Sequence, residues 1–279
     1  MSVQLEDEWG ASDYELVFEV FTGMPALHRH LVERLAPKQG ERWLDLATGT
    51  GRVARLAARA GAAVTAQDSA PGMIDSARRL TDDERLSVDF DVCLCESLPY
   101  ADASYDVVSS AVGAIFAPDH HSVAIEVGRV CRSGGRLGLV AWRPDEEFAA
   151  IFAPFADSPA GDGDPSDWGR EQYVQDLLGS DFQLEFEEGD APITGTSGAA
   201  IWDVWLRSVG PTRRLFESLD QPRQKELEQA FVAYFERFRT SVGIHQHNPY
   251  LLVLGTRRRG RDDGRRSCCM RTCSTTSVA

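Results

Sequence analysis

The clearest change in the pattern of apolar and polar positions along this chain lies between residues 43 and 60. Residues 43–46 form an apolar run that contains one acid, Asp45. Small residues occupy positions 47–51, and the positions after them are rich in Arg and Ala at helical spacing. This order predicts a buried strand, a tight turn and the N-terminus of a helix.

The same alternation of short apolar runs and helical patterns continues along the chain. Residues 156–168, rich in Asp, Gly and Pro, are predicted to form a loop. Further strands are predicted over residues 64–68, 86–92, 105–111, 133–142, 182–187 and 249–255, and helices over 52–60, 122–131, 146–155, 170–178, 197–209 and 221–239. Together with residues 43–46, this gives seven strands.

The N-terminal segment, residues 13–36, carries apolar residues at helical spacing that Gly23 and Pro25 interrupt. We therefore expect two helices there, packed beside the turn after the first strand. The segment also carries an aromatic stripe, which either packs in the core or covers a pocket; its members are Trp9, Tyr14, Phe18 and Phe21.

The turn at 47–51 has the chemistry of a ligand-binding loop. Small residues allow a ligand to approach the backbone, and the helix N-terminus that follows offers unpaired N–H groups. Asp68 ends the next predicted strand, where an acid in doubly wound folds binds a ribose hydroxyl. The small residues Ala47, Gly49 and Gly51 occupy alternate positions, and this spacing differs from that of the dinucleotide fingerprint G-x-G-x-x-G. The Asp45 carboxylate would repel a pyrophosphate but suits a cationic ligand.

Four segments resemble motifs of the class I S-adenosylmethionine-dependent methyltransferases of the ubiquinone and menaquinone biosynthesis type. They are residues 45–51, 68–78, 93–108 and 132–142, and the resemblance covers residues 42–142. It implies the fold class α/β, with a Rossmann-like seven-stranded, mostly parallel sheet, helices on both faces and helical lid elements. It also implies S-adenosylmethionine as cofactor and S_N2 transfer of its methyl group to an O, N or C nucleophile.

The resemblance implies a set of cofactor-binding residues. Asp45 would lie near the amino-acid portion of the cofactor, Asp68 would bind the ribose hydroxyls, and Met73 would pack near the adenine. Ser69 is also expected to cap the helix that follows it. The full predicted set is Asp45, Ala47, Thr48, Gly49, Gly51, Asp68, Ser69, Met73, Cys95, Glu96 and Ala111.

One position departs from the family pattern. The family commonly has an aspartate after the third strand that accepts a hydrogen bond from the adenine amino group, and the matching residue here is Leu94. Leucine cannot accept that bond. A ligand-binding protein of methyltransferase fold that transfers no methyl group is therefore an open alternative, and a nucleotide-dependent oxidoreductase is a third.

No catalytic residue is identified by the sequence, since the sulfonium methyl group is already activated and the reaction needs mainly alignment. If the nucleophile is a hydroxyl, His120, His121 or His245 could act as a base. The alternative is that His120 and His121 form a surface pair at a helix start and that residues 245–248 form an exposed loop.

Composition limits the partners. The net charge is −14, and without the residues from Arg257 onward 22 basic and 41 acidic residues remain, a net charge of −19. Such a charge disfavours nucleic acid as a partner and leaves a small-molecule methyl acceptor as the expected one.

No apolar run is long enough to cross a membrane. The acidic N-terminus lacks an apolar signal core, so we expect a cytoplasmic protein without a membrane partner.

The expected domain organisation is one methyltransferase domain over residues 1–256 and a disordered basic tail over 257–279. Residues 13–36 and 145–240 are predicted to supply lid and substrate elements.

The cysteines lack zinc-site spacing, so we expect reduced thiols and no metal. They are Cys93, Cys95, Cys131, Cys268, Cys269 and Cys273.

Overall fold

The computed structural model of the protein describes Trp9 and residues 13–155 and 163–259. The strands in this part of the chain are β1 (Arg42–Leu46), β2 (Ala63–Asp68), β3 (Val88–Val92), β4 (Tyr105–Ala111), β5 (Cys131–Trp142), β6 (Phe182–Asp190), β7 (Ile193–Gly195), β8 (Arg239–Thr240), β9 (Gly243–Gln246) and β10 (Pro249–Arg257). The α-helices are α1 (Val17–Val20), α2 (Met24–Leu35), α3 (Arg52–Arg59), α4 (Pro71–Asp83), α5 (His120–Val130), α6 (Glu146–Phe152), α7 (Glu171–Leu178), α8 (Gly198–Ser208), α9 (Gly210–Ser218) and α10 (Gln221–Glu236).

Seven strands form one sheet in the order β3–β2–β1–β4–β5–β10–β6. Strands β1 to β5 pair in parallel, and β10 is antiparallel to both of its neighbours. The sheet is thus a seven-stranded, mostly parallel Rossmann-like sheet, and the predicted fold class is confirmed. Strand order reverses between β1 and β4, and ligands of open α/β sheets bind beyond the strand ends at that point.

Strand β1 is an interior strand of the sheet, between β2 and β4, and most of its side chains are apolar on both faces. Trp43, Leu44 and Leu46 are fully buried, and Asp45 is 1% exposed. A strand covered on both faces reads as a continuous apolar run rather than as an alternation. At the sheet edge, β3 alternates between half-buried and exposed positions instead. The central strand therefore carries its one acid into the interior, directly below the turn.

The N-terminal helices and the segment after β5 share a second apolar core. Val17 and Phe21 from the N-terminal segment pack in the same cluster as residues of α8 and α10. Aromatic side chains dominate this cluster, and ring centroids lie as close as 4.8 Å, between Phe231 and Phe235. The aromatic members that are fully or nearly fully buried are Phe21, Phe155, Trp202, Trp205, Phe231, Tyr234 and Phe235.

Three features of the segment after β5 differ from the predicted elements. Helix α9 and a small antiparallel sheet, in the order β7–β9–β8, were not predicted. Strands of two to four residues are too short to show a period-2 pattern. Residues Pro165–Gly169, predicted as loop, form a 3₁₀-helix that Asp164 and Asp167 close with a capping box. The first residues of the predicted loop, 156–162, lie outside the described residues.

The last strand continues beyond the predicted boundary. Residue Arg257 belongs to β10, and its Nε donates to the Gly128 carbonyl at 2.9 Å. The tail from residue 260 onward, with Cys268, Cys269 and Cys273, lies outside the described residues, so its disorder stays a prediction. None of the described helices combines the length and the apolar character needed to span a membrane.

Candidate functional site

The turn after β1 is shaped by three left-handed residues at alternate positions. Ala47, Gly49 and Gly51 have φ angles of 46°, 56° and 79°. Glycine adopts this region freely, whereas an alanine there costs about 1–2 kcal/mol. The Thr48 N–H donates to the Gln67 carbonyl of β2 at 2.9 Å, which fixes the turn against the neighbouring strand. The alternation of small residues is thus a requirement of this backbone.

Ala47→Gly is expected to raise the free energy of unfolding by about 0–1.5 kcal/mol. Relief of left-handed strain, about 1–2 kcal/mol, is offset by the larger entropy of glycine in the unfolded chain, about 0.5–1 kcal/mol. Urea denaturation of both proteins measures the change. Gly40→Ala is the matched control, because Gly40 has a φ of 75° in open space and should show the reverse change. A clear loss of stability in Ala47→Gly would contradict this reasoning.

Asp45 is held below the turn by neutral hydrogen-bond donors. The Ser109 hydroxyl donates to Asp45 Oδ1 at 2.6 Å, and the Thr48 hydroxyl donates to Oδ2 at 2.5 Å. The Trp43 indole N–H donates in turn to the Ser109 oxygen at 2.8 Å. These donors fix the orientation of the carboxylate without neutralising it, so its charge is left for a ligand.

The electrostatics of Asp45 favour a cationic ligand. Burial raises the pKa of Asp45 to about 6, although the hydrogen bonds from Ser109 and Thr48 oppose that rise. The charge of Asp68 raises the pKa of Asp45 further. A buried carboxylate is costly unless a cation or donors compensate it. At neutral pH the group is therefore an ionised acid that a cation would stabilise.

Asp68, at the end of β2, ties the turn to the next helix. Its Oδ2 accepts the Gly49 N–H at 2.8 Å and its Oδ1 accepts the Ala70 N–H at 3.0 Å. Burial raises the pKa of Asp68, and these backbone donors lower it. Each carboxylate oxygen has a second lone-pair direction. Asp68 can therefore accept a ligand hydroxyl while it holds the turn.

The predicted cap by Ser69 is wrong. Helix α4 begins at Pro71, its N-cap is Ala70, and no side chain caps it. Ser69 stands one residue too early in the chain, and the Ala70 N–H already donates to Asp68. The Asp68 carboxylate therefore binds the backbone just before the helix, and the helix itself begins without a side-chain cap.

The N-terminal segment lies over the turn. Glu15 accepts the Thr50 hydroxyl at 2.5 Å and pairs with Arg52 at 2.6 Å. The Arg52 guanidinium carbon lies 3.5 Å from the centre of the Phe18 ring, a favourable cation–π geometry. A methyl group on Gly49 would lie 3.7 Å from the Tyr14 ring. Tyr14 and Phe18 of the aromatic stripe therefore cover the turn, whereas Phe21 packs in the second core.

A cleft lies between the turn, the end of β4 and the N-terminal segment, and its cavity volume is ≈ 50 Å³. This volume is well below the range of about 300–1,000 Å³ usual for ligand pockets. Five of the predicted site residues line the cleft, namely Asp45, Ala47, Thr48, Gly49 and Ala111. The other residues that line it are Tyr14, Phe18, His28, Thr50, Arg52, Val53, Val112 and Gly113.

The remaining predicted site residues lie outside the lining of this cleft. Gly51 precedes α3 and packs on α4, where a methyl group added to it would lie 3.2 Å from Ala77 Cβ. Met73 is buried in the first turn of α4. Cys95 is buried, and its sulfur accepts the Gln67 amide at 3.0 Å. Glu96, next to it, is half-buried. Met73, Cys95 and Glu96 follow β2 and β3, on the side of the turn where Asp68 lies.

None of the histidines named from the sequence lines the cleft. His120 is 4% exposed, and its ring nitrogens lie 2.7 Å from the Tyr173 hydroxyl and 3.3 Å from the Ile115 carbonyl. The interpretation of a surface pair is therefore wrong for His120, while His121 is exposed. His245 belongs to β9 rather than to a loop, because Thr194 of β7 pairs with it. Burial lowers the pKa of His120.

Two basic side chains that line the cleft, Arg52 and His28, were not predicted. Arg52 is the first residue of α3, and its Nε is buried without a hydrogen-bond partner among the described residues. His28 is 5% exposed on α2. Position 28 shares the buried face of α2 with Met24, Leu27 and Leu31. The helical period of these apolar residues places His28 on that face, so the signal was present in the sequence.

The described residues contain no group of three or more His, Cys, Asp or Glu side chains placed to hold a metal ion. Cys93, Cys95 and Cys131 are free thiols. Burial raises the pKa of Cys131 to about 12, so this thiol is protonated at neutral pH. The polar groups that the site offers are carboxylates, which accept hydrogen bonds, and hydroxyls and backbone N–H groups, which can donate them.

Comparison with known proteins agrees with the resemblance seen in the sequence. The family model described as a methyltransferase domain matches residues 44–139. An uncharacterized protein of Mycobacterium tuberculosis is 34% identical over 210 residues, which are 73% of this chain and 76% of that protein. The demethylmenaquinone methyltransferase of Deinococcus radiodurans is 38% identical over 115 residues, 40% of this chain and 48% of that protein.

A solved structure shows the same fold. The phosphoethanolamine N-methyltransferase 2 of Haemonchus contortus, in complex with S-adenosyl-L-methionine, superimposes with a TM-score of 0.55. The superposition covers 84% of this chain and 53% of that one, at 16% sequence identity.

Proposed function

The chain belongs to the class I S-adenosylmethionine-dependent methyltransferases, and we propose that it methylates a small molecule at an oxygen, nitrogen or carbon nucleophile. The observation that carries the proposal is Asp45, a buried acid with only neutral donors around it, at the floor of a cleft with left-handed backbone. A cation fits that acid, and a bulky pyrophosphate does not.

The residues present fit the cofactor. We assign Asp45 to the amino-acid portion, which carries the charged ammonium group, and Asp68 to the ribose hydroxyls. Asp68 fits because its two oxygens keep free lone-pair directions beyond the bonds from Gly49 and Ala70. Met73 would pack against the adenine from the first turn of α4. The turn itself, through Thr48 and its neighbours, would contact the cofactor by its backbone.

When bound, the cofactor supplies a methyl group that the sulfonium already activates. The chain's contribution is then alignment and exclusion of water. Tyr14 and Phe18 cover the cleft from above, and the ion pair between Glu15 and Arg52 holds them there. The end of β4, at Ala111 and the residues after it, forms the opposite wall, against which an acceptor can be held.

A small acceptor is favoured by the enclosure and charge of the site. The N-terminal segment lies directly across the turn. A polymer could therefore reach the Asp45 carboxylate only if this segment were displaced. The net charge of −14 also opposes a polyanionic substrate. We therefore propose a small, neutral or cationic molecule as the acceptor.

Transfer of a labelled methyl group tests the proposed activity. The protein is incubated with S-adenosylmethionine labelled in the methyl group, together with small phenols, amines and enolisable carbonyl compounds, and separately with RNA and a protein mixture. Label should appear in one or more of the small molecules. Label in RNA or protein alone would contradict the proposal. Cofactor binding without any transfer would favour the second candidate, a ligand-binding protein of this fold.

Leu94→Asp is expected to tighten S-adenosylmethionine binding. Leu94 follows β3 at the position where the family commonly carries an acid, and its side chain is half-buried. An added carboxylate could accept a bond from the adenine amino group, and a hydrogen bond to a charged group contributes about 1.5–3 kcal/mol. Isothermal titration calorimetry measures the change.

Leu94→Ala is the matched control, since it removes the leucine without adding an acceptor. We expect binding of the cofactor to Leu94→Ala to stay within a few-fold of the unmodified protein. If Leu94→Asp binds no better than Leu94→Ala, the assignment of Leu94 to the adenine site is wrong, while the assignment of Asp45 is unaffected.

A further inference from the structure

Two residues in the lining of the cleft carry a buried nitrogen atom without a hydrogen-bond partner among the described residues. These atoms are Nε of Arg52 and Nδ1 of His28. The His28 side chain belongs to α2 and is 5% exposed. Native structures rarely leave a buried polar atom unpaired, because the lost hydration is not replaced. Two such nitrogens beside one cleft indicate a ligand group that accepts hydrogen bonds.

Arg52 supplies the positive charge in the lining of this cleft. Its Nη2 donates to Glu15 at 2.6 Å, and its Nε lacks an acceptor within the described part of the chain. A guanidinium has five N–H donors, so the ion pair with Glu15 leaves the Nε–H for a ligand. The Phe18 ring covers one face of the guanidinium, whose N–H groups point outward in its own plane. Both neighbours therefore leave this donor available.

His28 is a neutral group beside that cation. Burial lowers the pKa of His28 to about 3, and the cations Arg52 and Arg29 lower it further. A neutral imidazole keeps one N–H, and an anion next to Nδ1 selects the tautomer that carries the hydrogen there. The Phe18 ring contacts both groups, with its centre 3.5 Å from the Arg52 guanidinium carbon and 6.0 Å from the His28 ring centre. One anionic group can therefore accept hydrogen bonds from both residues.

We propose that Arg52 and His28 form a carboxylate subsite, and that its occupant is the carboxylate group in the amino-acid portion of the cofactor. This inference rests on the proposed function and deepens it. Asp45 is assigned to the ammonium group, and the proposal adds the partners of the negative group. The Arg52 Nε–H and the His28 Nδ1–H each donate a hydrogen bond to the carboxylate oxygens. Both residues bind the cofactor and take no part in a proton transfer.

The partners of the two charged groups lie at the same end of α3. Arg52 is the first residue of that helix, and the Ala54 N–H in its first turn donates to the Asp45 carboxylate. The ammonium and carboxylate groups of an amino acid are bonded to one carbon atom, so their partners must be close together. A cavity of about 10–15 Å³ holds one water molecule, so the cleft of ≈ 50 Å³ has room for a group as small as a carboxylate.

The hydroxyl groups in the lining do not offer the same interaction. The Thr48 hydroxyl donates to Asp45 and the Thr50 hydroxyl donates to Glu15. Burial raises the pKa of Tyr14 to about 12, so its hydroxyl is a neutral donor. None of these three groups brings a positive charge. A carboxylate in this cleft is therefore best compensated at the guanidinium.

The test compares two ligands that differ in the carboxylate alone. Decarboxylated S-adenosylmethionine keeps the sulfonium and the ammonium group of S-adenosylmethionine but lacks the carboxylate. Calorimetry with the unmodified protein should show that S-adenosylmethionine binds about 10–100-fold more tightly, as expected for hydrogen bonds to a charged group. In Arg52→Gln this preference should fall to about 3-fold or less. In His28→Phe it should fall by a smaller factor, about 3–10-fold.

Two control variants separate the contact with the ligand from an effect on the N-terminal segment. Glu15→Gln removes the ion pair to that segment but keeps Arg52, so the preference for the carboxylate should remain. Arg59→Gln removes a positive charge from the other end of α3, where Arg59 pairs with Glu84, and should keep the preference as well. Loss of the ion pair with Glu15 would weaken the binding of both ligands alike, so the ratio of the two affinities is the readout.

Nitrogen NMR of the labelled, unmodified protein gives a second readout. The Nε–H signal of Arg52 is identified by its absence in Arg52→Lys, which keeps the positive charge. Addition of S-adenosylhomocysteine, which carries the carboxylate, should move this signal. Addition of 5′-methylthioadenosine, which lacks the whole amino-acid portion, should leave it in place.

The outcomes separate this inference from the proposed function. If the unmodified protein binds neither S-adenosylmethionine nor S-adenosylhomocysteine, the proposed function fails. If it binds S-adenosylmethionine no more tightly than the decarboxylated compound, or if Arg52→Gln keeps the full preference, the inference is overturned. An unchanged preference in His28→Phe would overturn the part assigned to His28. A shift of the Arg52 signal when benzoate is added to the complex with S-adenosylhomocysteine would assign the subsite to a carboxylate of the acceptor, and would overturn its assignment to the cofactor.

Discussion

Replacement of Asp45 by asparagine is expected to weaken S-adenosylmethionine binding at least about 100-fold, a loss typical of removing a charged partner from a buried pair. Asparagine has nearly the same shape and keeps an oxygen that can accept the Ser109 hydroxyl. The change thus removes the charge with little disturbance of the turn. Asp45→Ala should weaken binding as well, but it also leaves the Ser109 and Thr48 hydroxyls without their acceptor.

The matched ligand for this experiment is S-adenosylhomocysteine, whose sulfur carries no charge. Because S-adenosylhomocysteine keeps the ammonium group to which Asp45 is assigned, calorimetry should show a similar loss of affinity for both ligands in Asp45→Asn. An equal affinity of the variant and the unmodified protein for S-adenosylmethionine would contradict the role of Asp45. A loss confined to S-adenosylmethionine would show that the acid acts on the charged sulfur instead of the ammonium group.

The same substitution should change how stability depends on pH. The pKa of Asp45 is about 6 in the folded protein, against a reference value of 3.8. The folded state therefore binds the proton more tightly than the unfolded state, and the free energy of unfolding falls as pH rises through this interval. Between pH 5 and pH 7 the unmodified protein should lose about 1 kcal/mol relative to Asp45→Asn. Urea denaturation at several pH values measures this difference.

Gly113→Ala is expected to lower the free energy of unfolding by about 2–3 kcal/mol, the upper part of the range for overpacking, and to abolish cofactor binding. A methyl group on Gly113 would lie 2.3 Å from the Ala47 carbonyl oxygen and 2.6 Å from Ala47 Cβ. Both atoms belong to or adjoin the left-handed backbone of the turn, which cannot move without loss of the bonds to Asp45 and Asp68. The residue before it, Val112, is itself left-handed with a φ of 61°, so this wall of the cleft has little freedom to adjust.

Gly128→Ala provides the control for Gly113→Ala. Gly128 lies within α5, and a methyl group there would meet its nearest neighbour, Asp181, at 3.4 Å. Alanine is favoured over glycine in a helix by about 1 kcal/mol, so this variant should be as stable as the unmodified protein or more so. If Gly113→Ala and Gly128→Ala behave alike in denaturation and in calorimetry, the close contact between Gly113 and Ala47 does not shape the cleft.

The sequence was sufficient to predict the fold and the site where local chemistry and tertiary packing favour the same structure. The apolar run around Asp45 predicts the central strand because a strand buried on both faces needs apolar side chains on both. The small residues at 47, 49 and 51 predict the turn because its backbone is left-handed at these three positions. Asp68 was placed correctly at the end of β2 by the spacing between two short strands.

The sequence was insufficient where contacts between distant segments decide the structure. The bond from Ala70 to Asp68, rather than a cap by Ser69, depends on where the helix begins. His120 is buried because Tyr173 and Trp168, far along the chain, pack against it. His28 lies on the buried face of an amphipathic helix, but only the cleft beside that face shows that the imidazole is next to a ligand site.

The central claim is that the turn after β1, with Asp45 below it, binds a cationic sulfonium compound. Calorimetric titration of the unmodified protein with S-adenosylmethionine, and in parallel with NADH, tests it most directly. We expect saturable binding of S-adenosylmethionine at one site per chain, in the micromolar range, and no binding of NADH. Binding of NADH, or no binding of S-adenosylmethionine, would contradict the account.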